Sequence, residues 1–380
     1  KAGHAYHEAW AARTALELLL PSTDLTAIAL EGFSDADEAS LGAEAVEIAD
    51  LVRYHGGLDV AQSHRVTVVQ FKYSIASADI AVRAADIAST LAKFAATDAE
   101  LRAAHGDAHV AAVVLYEFAT NRPINAELGA AIAAMIAGEA LKGDADRQVN
   151  QIKRALEDYP HPIPELLQRL EIVGSKGSLV DAERAISSTL AAWGAPSDPD
   201  AEMRLLKLRN LIRSKAGPGS EADKRIDRVA VLAELGVEHE DRLYPAPDAF
   251  HSFEGLVHRA VLDKLVEFAR DPGLPIVVHA AGGMGKTVLM QSLAARLRAD
   301  GPVVLFDGFG AGRWRDPAAG RHLPERTLVH LANLLAGQGL CDILLPVADL
   351  TGLLRAFRRR LAQSVAAART TRSDASVSIV

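Results

Sequence analysis

Two segments of the sequence combine residue types and spacings that could do chemistry, and the first is Asp50 together with Gln70-Phe71-Lys72. Asp50 lies in one predicted strand, and the other three residues lie at the end of the next. Because side chains alternate along a strand, Gln70 and Lys72 share a face. A carboxylate, an amide oxygen and the Phe71 carbonyl that converge on one point could hold Mg²⁺. The metal would polarise a phosphodiester and activate water, and Lys72 would orient that water or stabilise the developing charge.

The same residues also have a plainer interpretation. From spacing alone, Asp50 and Lys72 are equally compatible with an ion pair at the edge of a sheet. A metal site gains support because Gln70 and Lys72 interrupt a Val- and Phe-rich strand, where polar side chains need partners. Glu8, on the first predicted helix, and Glu31, at the end of the first predicted strand, are either further metal ligands or solvated side chains.

The second segment is AAGGMGKT at 280–287, which lies between an apolar run and a predicted helix. The backbone N–H groups of such a glycine-rich turn cradle phosphates, its lysine reaches the β- and γ-phosphates, and its threonine binds Mg²⁺. The position six residues before the lysine, a glycine in the strict motif, is Ala280. The residues predicted to bind ATP and its Mg²⁺ are Gly282, Gly283, Gly285, Lys286 and Thr287.

A phosphate loop of this kind works with an acidic residue at a strand end that helps to hold Mg²⁺. Asp307 follows Thr287 by only 20 residues, so we predict a structural or peripheral role for it. The strand-like run at 376–380 is better placed, but it contains no acid. Because a P-loop sheet needs more parallel strands than the three predicted, we expect the polypeptide to continue beyond Val380.

The elements that position these residues follow from hydrophobic periodicity. The amino-terminal part predicts helices at 5–20, 80–96 and 127–141, strands at 25–30, 45–54, 65–73 and 109–118, and a loop or short helix at 31–44. The carboxyl-terminal part predicts helices at 253–270, 286–299, 328–335 and 351–368, and strands at 274–280, 303–307 and 375–380. The fold class is therefore α/β: a mixed sheet flanked by helices, a helical connector, then a truncated parallel domain. The predicted boundaries are 1–215 for the first domain with its helical extension, 216–252 for the connector and 253–380 for the second domain.

Composition excludes several classes of protein. Because 49% of the 380 residues are hydrophobic, a disordered or fibrous chain is excluded. The lone Cys341 excludes an intramolecular disulfide and a Cys-rich zinc site. No apolar run reaches the roughly 20 residues that a bilayer requires, and the amino terminus does not resemble a signal peptide. We therefore expect a cytoplasmic protein with no membrane partner.

Charge is unevenly distributed. Residues 1–150 contain 11 Lys and Arg against 21 Asp and Glu. An acidic domain of this kind is atypical of a module that coats nucleic acid and is compatible with a metal site. Segment 203–228 is basic, which indicates either a solvated helix face or a stripe of phosphate contacts.

Residues 1–123 resemble the restriction-endonuclease-like PD-(D/E)xK nucleases, in particular the double-stranded DNA endonuclease effectors of bacterial cyclic-oligonucleotide defence. The segments that carry the resemblance are AYHEAWAARTALELL, EGFSDADE, EIADLVRYHGG, VTVVQFKYS and FATNRP. Gln70 stands where the family usually has an acidic residue before the lysine, a variant known in that superfamily. Residues 253–380, through VVHAAGGMGKT and VVLFDGFGAGRWRD, are similar to STAND NTPases. The combination looks like that of the antiviral STAND (Avs) proteins of prokaryotes.

The resemblance implies a mechanism. A phage protein would bind a sensor in a C-terminal region outside these residues, ATP binding would support assembly into a homo-oligomer, and the clustered nuclease domains would cut double-stranded DNA. Asp50, Gln70 and Lys72 would be the catalytic residues. Two alternatives stay open: a nucleotide-switched scaffold whose first domain only binds DNA or protein, and an ATP-powered motor of restriction type. The sequence shows no helicase-like series of motifs for the motor.

Overall fold

A six-stranded mixed sheet is the central element of the amino-terminal part of the chain. In the computed structural model, the described residues are 2–42, 46–194, 201–216, 224–244, 250, 259–271, 275–308, 318, 320–346 and 349–380. They form two units: residues 1–19, 23–188 and 202–235, and residues 20–22, 189–201 and 236–380.

The elements are numbered here in chain order. The strands are β1 (Leu25–Leu30), β2 (Leu51–His55), β3 (Arg65–Lys72), β4 (Val114–Thr120), β5 (Leu170–Val173), β6 (Arg225–Asp227), β7 (Val303–Val304) and β8 (Ser378–Ile379). The helices up to residue 200 are α1 (Ala2–Glu17), α2 (Asp35–Glu38), α3 (Ala84–His105), α4 (Asp107–Val113), α5 (Ala126–Ala137), α6 (Asp144–Ala155), α7 (Ile163–Gln168) and α8 (Leu179–Trp193). The later helices are α9 (Ala201–Ala216), α10 (Arg228–Glu234), α11 (Ala260–Arg270), α12 (Lys286–Leu297), α13 (Pro324–Gly337) and α14 (Leu350–Thr371).

The sheet has the strand order β5-β4-β3-β2-β1-β6. β1, β2 and β3 are consecutive antiparallel neighbours, whereas β3, β4 and β5 run parallel. A parallel pair needs a crossover, and α3 with α4 supplies it between β3 and β4. The predicted α/β class, with a mixed sheet flanked by helices, is confirmed for this unit.

Alternating apolar side chains explain how the sheet packs against its helices. Val66 and Val68 of β3 point to one face and join the core that Leu91 and Phe94 of α3 complete. All four residues are at most 2% exposed. The carboxyl-terminal end of β3, at Lys72, lies outside this core. Gln70 and Lys72 therefore lie at the rim of the buried region.

Two predicted strands have different bounds in the structure. β2 begins at Leu51 rather than at residue 45, so Asp50 directly precedes the strand. The predicted strand at 109–118 is divided into the end of α4 and the beginning of β4. The start of this segment is rich in Ala and Val, and its hydrophobic pattern is the same for a buried helix and a buried strand. Asp107 in the first turn favours the helix.

The amino-terminal unit extends beyond its predicted boundary at residue 215. β6 pairs antiparallel with β1, and α10 follows it directly. A three-residue strand carries too little pattern to be found in a sequence, which is why the predicted connector at 216–252 included it. Within that connector, residues 217–223, 245–249, 251 and 252 lie outside the described residues.

In the carboxyl-terminal unit, α11 and α12 pack together around a small apolar core. β7 and β8 pair in parallel, as an α/β domain requires. The prediction of a strand at 274–280 is wrong, because the described residues 275–280 form no strand. Val277 in this segment is 87% exposed, because no described strand pairs with it. Among the helices of the described residues, none combines the length and the apolar character that crossing a bilayer requires.

Candidate metal centre

Three neighbouring strand ends bring Glu31, Asp50 and Gln70 together. Leu30 of β1 lies opposite Leu51 of β2, and Leu51 lies opposite Val69 of β3. The residues one step beyond these pairs are therefore neighbours at the same edge of the sheet. The backbone continues the pairing, since Glu31 N–H donates to the Asp50 carbonyl at 3.2 Å and Asp50 N–H donates to the Val69 carbonyl at 3.1 Å.

The Asp50 carboxylate is held by β3 through one of its oxygens. Its Oδ2 accepts a hydrogen bond of 2.6 Å from the Phe71 N–H and another from the Gln70 side-chain amide. The other oxygen, Oδ1, faces the ring of His7, whose Nδ1 is 3.5 Å away. The two predicted site residues Asp50 and Gln70 are thus in direct contact, and one carboxylate oxygen is oriented toward α1.

His7 on α1 completes a group of possible metal ligands. In the described part of the chain, the set of three or more His, Cys, Asp or Glu side chains with ligand atoms mutually within 4.8 Å is His7, Glu31 and Asp50. The His7 ring lies against the Phe71 ring, with a centroid distance of 5.6 Å. Phe71 therefore positions both Asp50 and His7. Its backbone N–H binds Asp50, and its ring packs against His7.

Burial disfavours the charged forms of all three side chains in this group. Burial raises the pKa of Asp50 to about 6, against the weaker lowering effects of the Phe71 N–H and Lys72. Burial and the nearby Asp50 charge raise the pKa of Glu31. Burial also lowers the pKa of His7, so its imidazole is biased to the neutral form that ligates metals. Two destabilised carboxylates beside a neutral imidazole are a donor set that a divalent cation would stabilise.

The backbone at Glu31 is in an unusual conformation. Its φ is 48°, in the left-handed region that non-glycine residues seldom occupy. Gly32 follows with φ 147°, and a Cβ there would lie 2.9 Å from the Lys224 ammonium. Lys224 in turn donates to the Glu31 carbonyl at 3.4 Å and to the Glu38 carboxylate at 2.8 Å. A conformation of this kind costs about 1 kcal/mol or more, and it is found more often at functional sites than elsewhere.

Glu8, predicted as a further ligand, lies outside this group. Its carboxylate accepts a hydrogen bond of 2.9 Å from Arg213 Nε on α9 and forms an ion pair with Nη2 of the same guanidinium. Successive residues on a helix point about 100° apart, so His7 and Glu8 cannot both face the same cluster. Glu8 therefore ties α9 to α1, whereas His7 faces the sheet.

Sequence reasoning did not identify His7. The available signal was the pair His4 and His7, which are three residues apart and so share a helix face. His4 Nδ1 is 4.0 Å from a Glu31 carboxylate oxygen and its side chain is 61% exposed. Lys72, at the end of β3, is exposed, which leaves its ammonium accessible to a substrate beside the cluster.

The glycine-rich loop of the other unit has positive φ angles at two of its glycines. Gly283 and Gly285 have φ values of 74° and 73°, and α12 begins at Lys286. The Lys286 ammonium donates to the carbonyls of Ala280 and Ala281 at 2.6 and 2.9 Å. These hydrogen bonds link the start of α12 to the start of the loop. Thr287 is exposed in the first turn. These residues fit ATP, because the lysine would exchange two carbonyls for phosphate oxygens and the helix start favours an anion.

No family model matches the sequence, and no curated protein matches it. Among solved structures, the chain is similar to the Cap4 SAVED/CARF-domain containing receptor of Acinetobacter baumannii with the cyclic trinucleotide 3'3'3'-cAAA. That match has 14% identity and a TM-score of 0.35, over 66% of this chain and 53% of the receptor. A second structure of that receptor matches with 14% identity and a TM-score of 0.35, over 81% and 64% of the two chains. The Cap4 receptor of Moraxella osloensis matches with 12% identity and a TM-score of 0.37, over 89% and 68%. The chain spans less than two thirds of the Acinetobacter receptor.

Proposed function

We propose that the protein is a metal-dependent endonuclease that cuts double-stranded DNA, is gated by an ATP-binding STAND module and acts in prokaryotic antiphage defence. The observation that supports this most is the convergence of Glu31, Asp50 and Gln70 at three adjacent strand ends, with Lys72 beside them. The spacing between Asp50 and Gln70-Phe71-Lys72 predicts that these residues meet in this way in a nuclease of the PD-(D/E)xK type.

The residues have separate roles in this proposal. A bound Mg²⁺ would polarise the scissile phosphate and lower the pKa of the attacking water. Glu31 and Asp50 would hold the ion, and the Phe71 N–H fixes the orientation of Asp50. Lys72 would orient the water or stabilise negative charge on the phosphate.

Gln70 has a role that differs from the ligand role predicted for it. Its amide nitrogen donates to Asp50 Oδ2, so in this conformation Gln70 positions the carboxylate. A half-turn of the amide plane would present its oxygen to a metal instead, since Asn and Gln amides carry a donor and an acceptor at similar positions. Either conformation keeps the site less negative than the two-carboxylate form of the motif.

The neutral Gln70 favours one competing function. A site with fewer charges binds metal more weakly, as expected of a nuclease-like domain that only binds DNA or protein within a nucleotide-switched scaffold. The register of β2 and β3 makes Asp50 and Gln70 neighbours under either function, so their contact is common to both. A direct cleavage assay separates the two functions.

The experiment is plasmid cleavage with Mg²⁺, ATP and phage lysate, compared with the same mixture in EDTA. Asp50→Asn removes the central charge and should abolish metal-dependent cutting. Asp79→Asn is a matched control, because Asp79 is an exposed aspartate of the same unit. Cutting by the wild type that is lost only in Asp50→Asn supports the nuclease, whereas equal cutting by both variants contradicts it. DNA binding without cutting under every condition supports the scaffold.

The gating part of the proposal has its own test. Lys286→Ala should prevent ATP from stimulating cleavage, since no other described side chain of the loop carries a positive charge. Lys264→Ala provides a control on the exposed face of α11. Stimulation that persists in Lys286→Ala would contradict gating through this loop and would leave the nuclease assignment unaffected.

A further inference from the structure

The metal centre contains an imidazole in addition to carboxylates. His7 Nδ1 lies 3.5 Å from Asp50 Oδ1, and His7, Asp50 and Glu31 each offer one ligand atom within 4.8 Å of those of the other two. Ligand atoms around an octahedral ion with bonds of about 2.1 Å are about 3.0 Å apart when adjacent and about 4.2 Å apart when opposite. The observed spacings are close to this range, so small side-chain rotations would bring all three atoms to one ion.

The position of the imidazole is determined by its surroundings. The His7 side chain is 21% exposed and its ring lies against Phe71. The backbone of Phe71 also holds Asp50, so nitrogen and oxygen donors are set by the same residue. His7 is therefore part of the built site, in contrast to His4, which is 61% exposed.

We propose that His7 is a nitrogen ligand of this centre and biases it toward a first-row transition metal such as Mn²⁺ over Mg²⁺. The inference rests on the proposed function for the reaction that the metal serves, but metal choice is measured independently of cleavage. Mg²⁺ is a hard cation that favours oxygen donors and dehydrates reluctantly, whereas the first-row transition metals accept imidazole nitrogen more readily, with Mn²⁺ the weakest binder among them. A donor set of one nitrogen and two carboxylates therefore discriminates between the two kinds of ion.

The test uses Mn²⁺ bound to the full chain and pulsed electron paramagnetic resonance, which detects nitrogen coupled to the metal. The wild type should show coupling to one imidazole nitrogen. His7→Gln, which keeps a polar side chain of similar length, should lose that coupling, and His4→Gln on the same helix should retain it. The measurement on the wild type does not depend on whether any variant folds.

Binding affinity gives a second readout by titration calorimetry. His7→Gln should weaken Mn²⁺ binding by about tenfold or more and change Mg²⁺ binding by less than about threefold. Absence of nitrogen coupling in the wild type would overturn the proposal. Coupling that survives in His7→Gln, or that disappears in His4→Gln, would overturn it as well.

The outcomes separate this inference from the proposed nuclease. Nitrogen coupling without any DNA cleavage would support the metal assignment and contradict the nuclease. Metal-dependent cleavage without nitrogen coupling would support the nuclease and contradict the role of His7.

Discussion

Asp50 should lower the stability of the metal-free protein, because its carboxylate is held where ionisation is unfavourable. The side chain is 9% exposed, and burial raises its pKa from 3.8 to about 6. A difference of about 2 pKa units corresponds to about 3 kcal/mol. The folded state keeps the proton to a higher pH than the unfolded state does. The free energy of unfolding should therefore fall as the pH rises from about 4 to about 6, and it should stay low above that range.

Asp50→Asn removes this penalty. In EDTA at neutral pH, we expect the variant to raise the free energy of unfolding of the amino-terminal unit by about 1 to 3 kcal/mol. The gain should shrink toward zero at about pH 4, where the wild-type carboxyl is also neutral. Urea unfolding followed by pulse-labelling hydrogen exchange of the β3 peptide measures this unit separately from the other.

The comparison between the two pH values is the decisive part of this prediction. Any effect of the amide on packing is present at both pH values and cancels, whereas the charge effect is present only at the higher one. The exposed control Asp79→Asn should show no such dependence. A difference in stability between Asp50→Asn and the wild type that is the same at both pH values would refute the argument that burial destabilises the charged form.

Three further predictions follow from the same structure. Lys72→Ala should reduce cleavage by about 100-fold or more without weakening metal binding in calorimetry, and unchanged cleavage would remove its catalytic assignment. Lys286→Ala should abolish ATP binding measured with a fluorescent analogue, and normal affinity would contradict the phosphate-loop assignment. Asp98→Asn should cost about 3 to 5 kcal/mol in urea unfolding, and a loss below about 1 kcal/mol would be contradictory. Its carboxylate is fully buried between Arg102 and Arg169, each at 2.7 Å.

The sheet around the site could be predicted from alternation. The run of Val and Phe identifies β3, and the predicted order of elements is helix, three strands, helix, strand. Together they indicate which residues lie at the ends of adjacent strands. Asp50 and Gln70 follow from that order, because their strands are neighbours in a hairpin. Their contact is a consequence of register that the sequence alone could only suggest.

The remaining features depend on packing between distant elements. The rotation of α1 about its axis decides whether His7 or Glu8 faces the sheet, and both positions are compatible with the periodicity of that helix. The partner of Glu8 is Arg213, more than 200 residues away. The left-handed conformation of Glu31 could not be predicted from the sequence, because glutamate usually avoids that region of φ and ψ.

Anomalous diffraction from crystals of the protein soaked in Mn²⁺ tests the central claim most directly. The account predicts a peak bounded by the carboxylates of Glu31 and Asp50 and the ring of His7, and no such peak in Asp50→Asn. A map without density at those strand ends, with Mn²⁺ bound elsewhere in the same crystal, would contradict it.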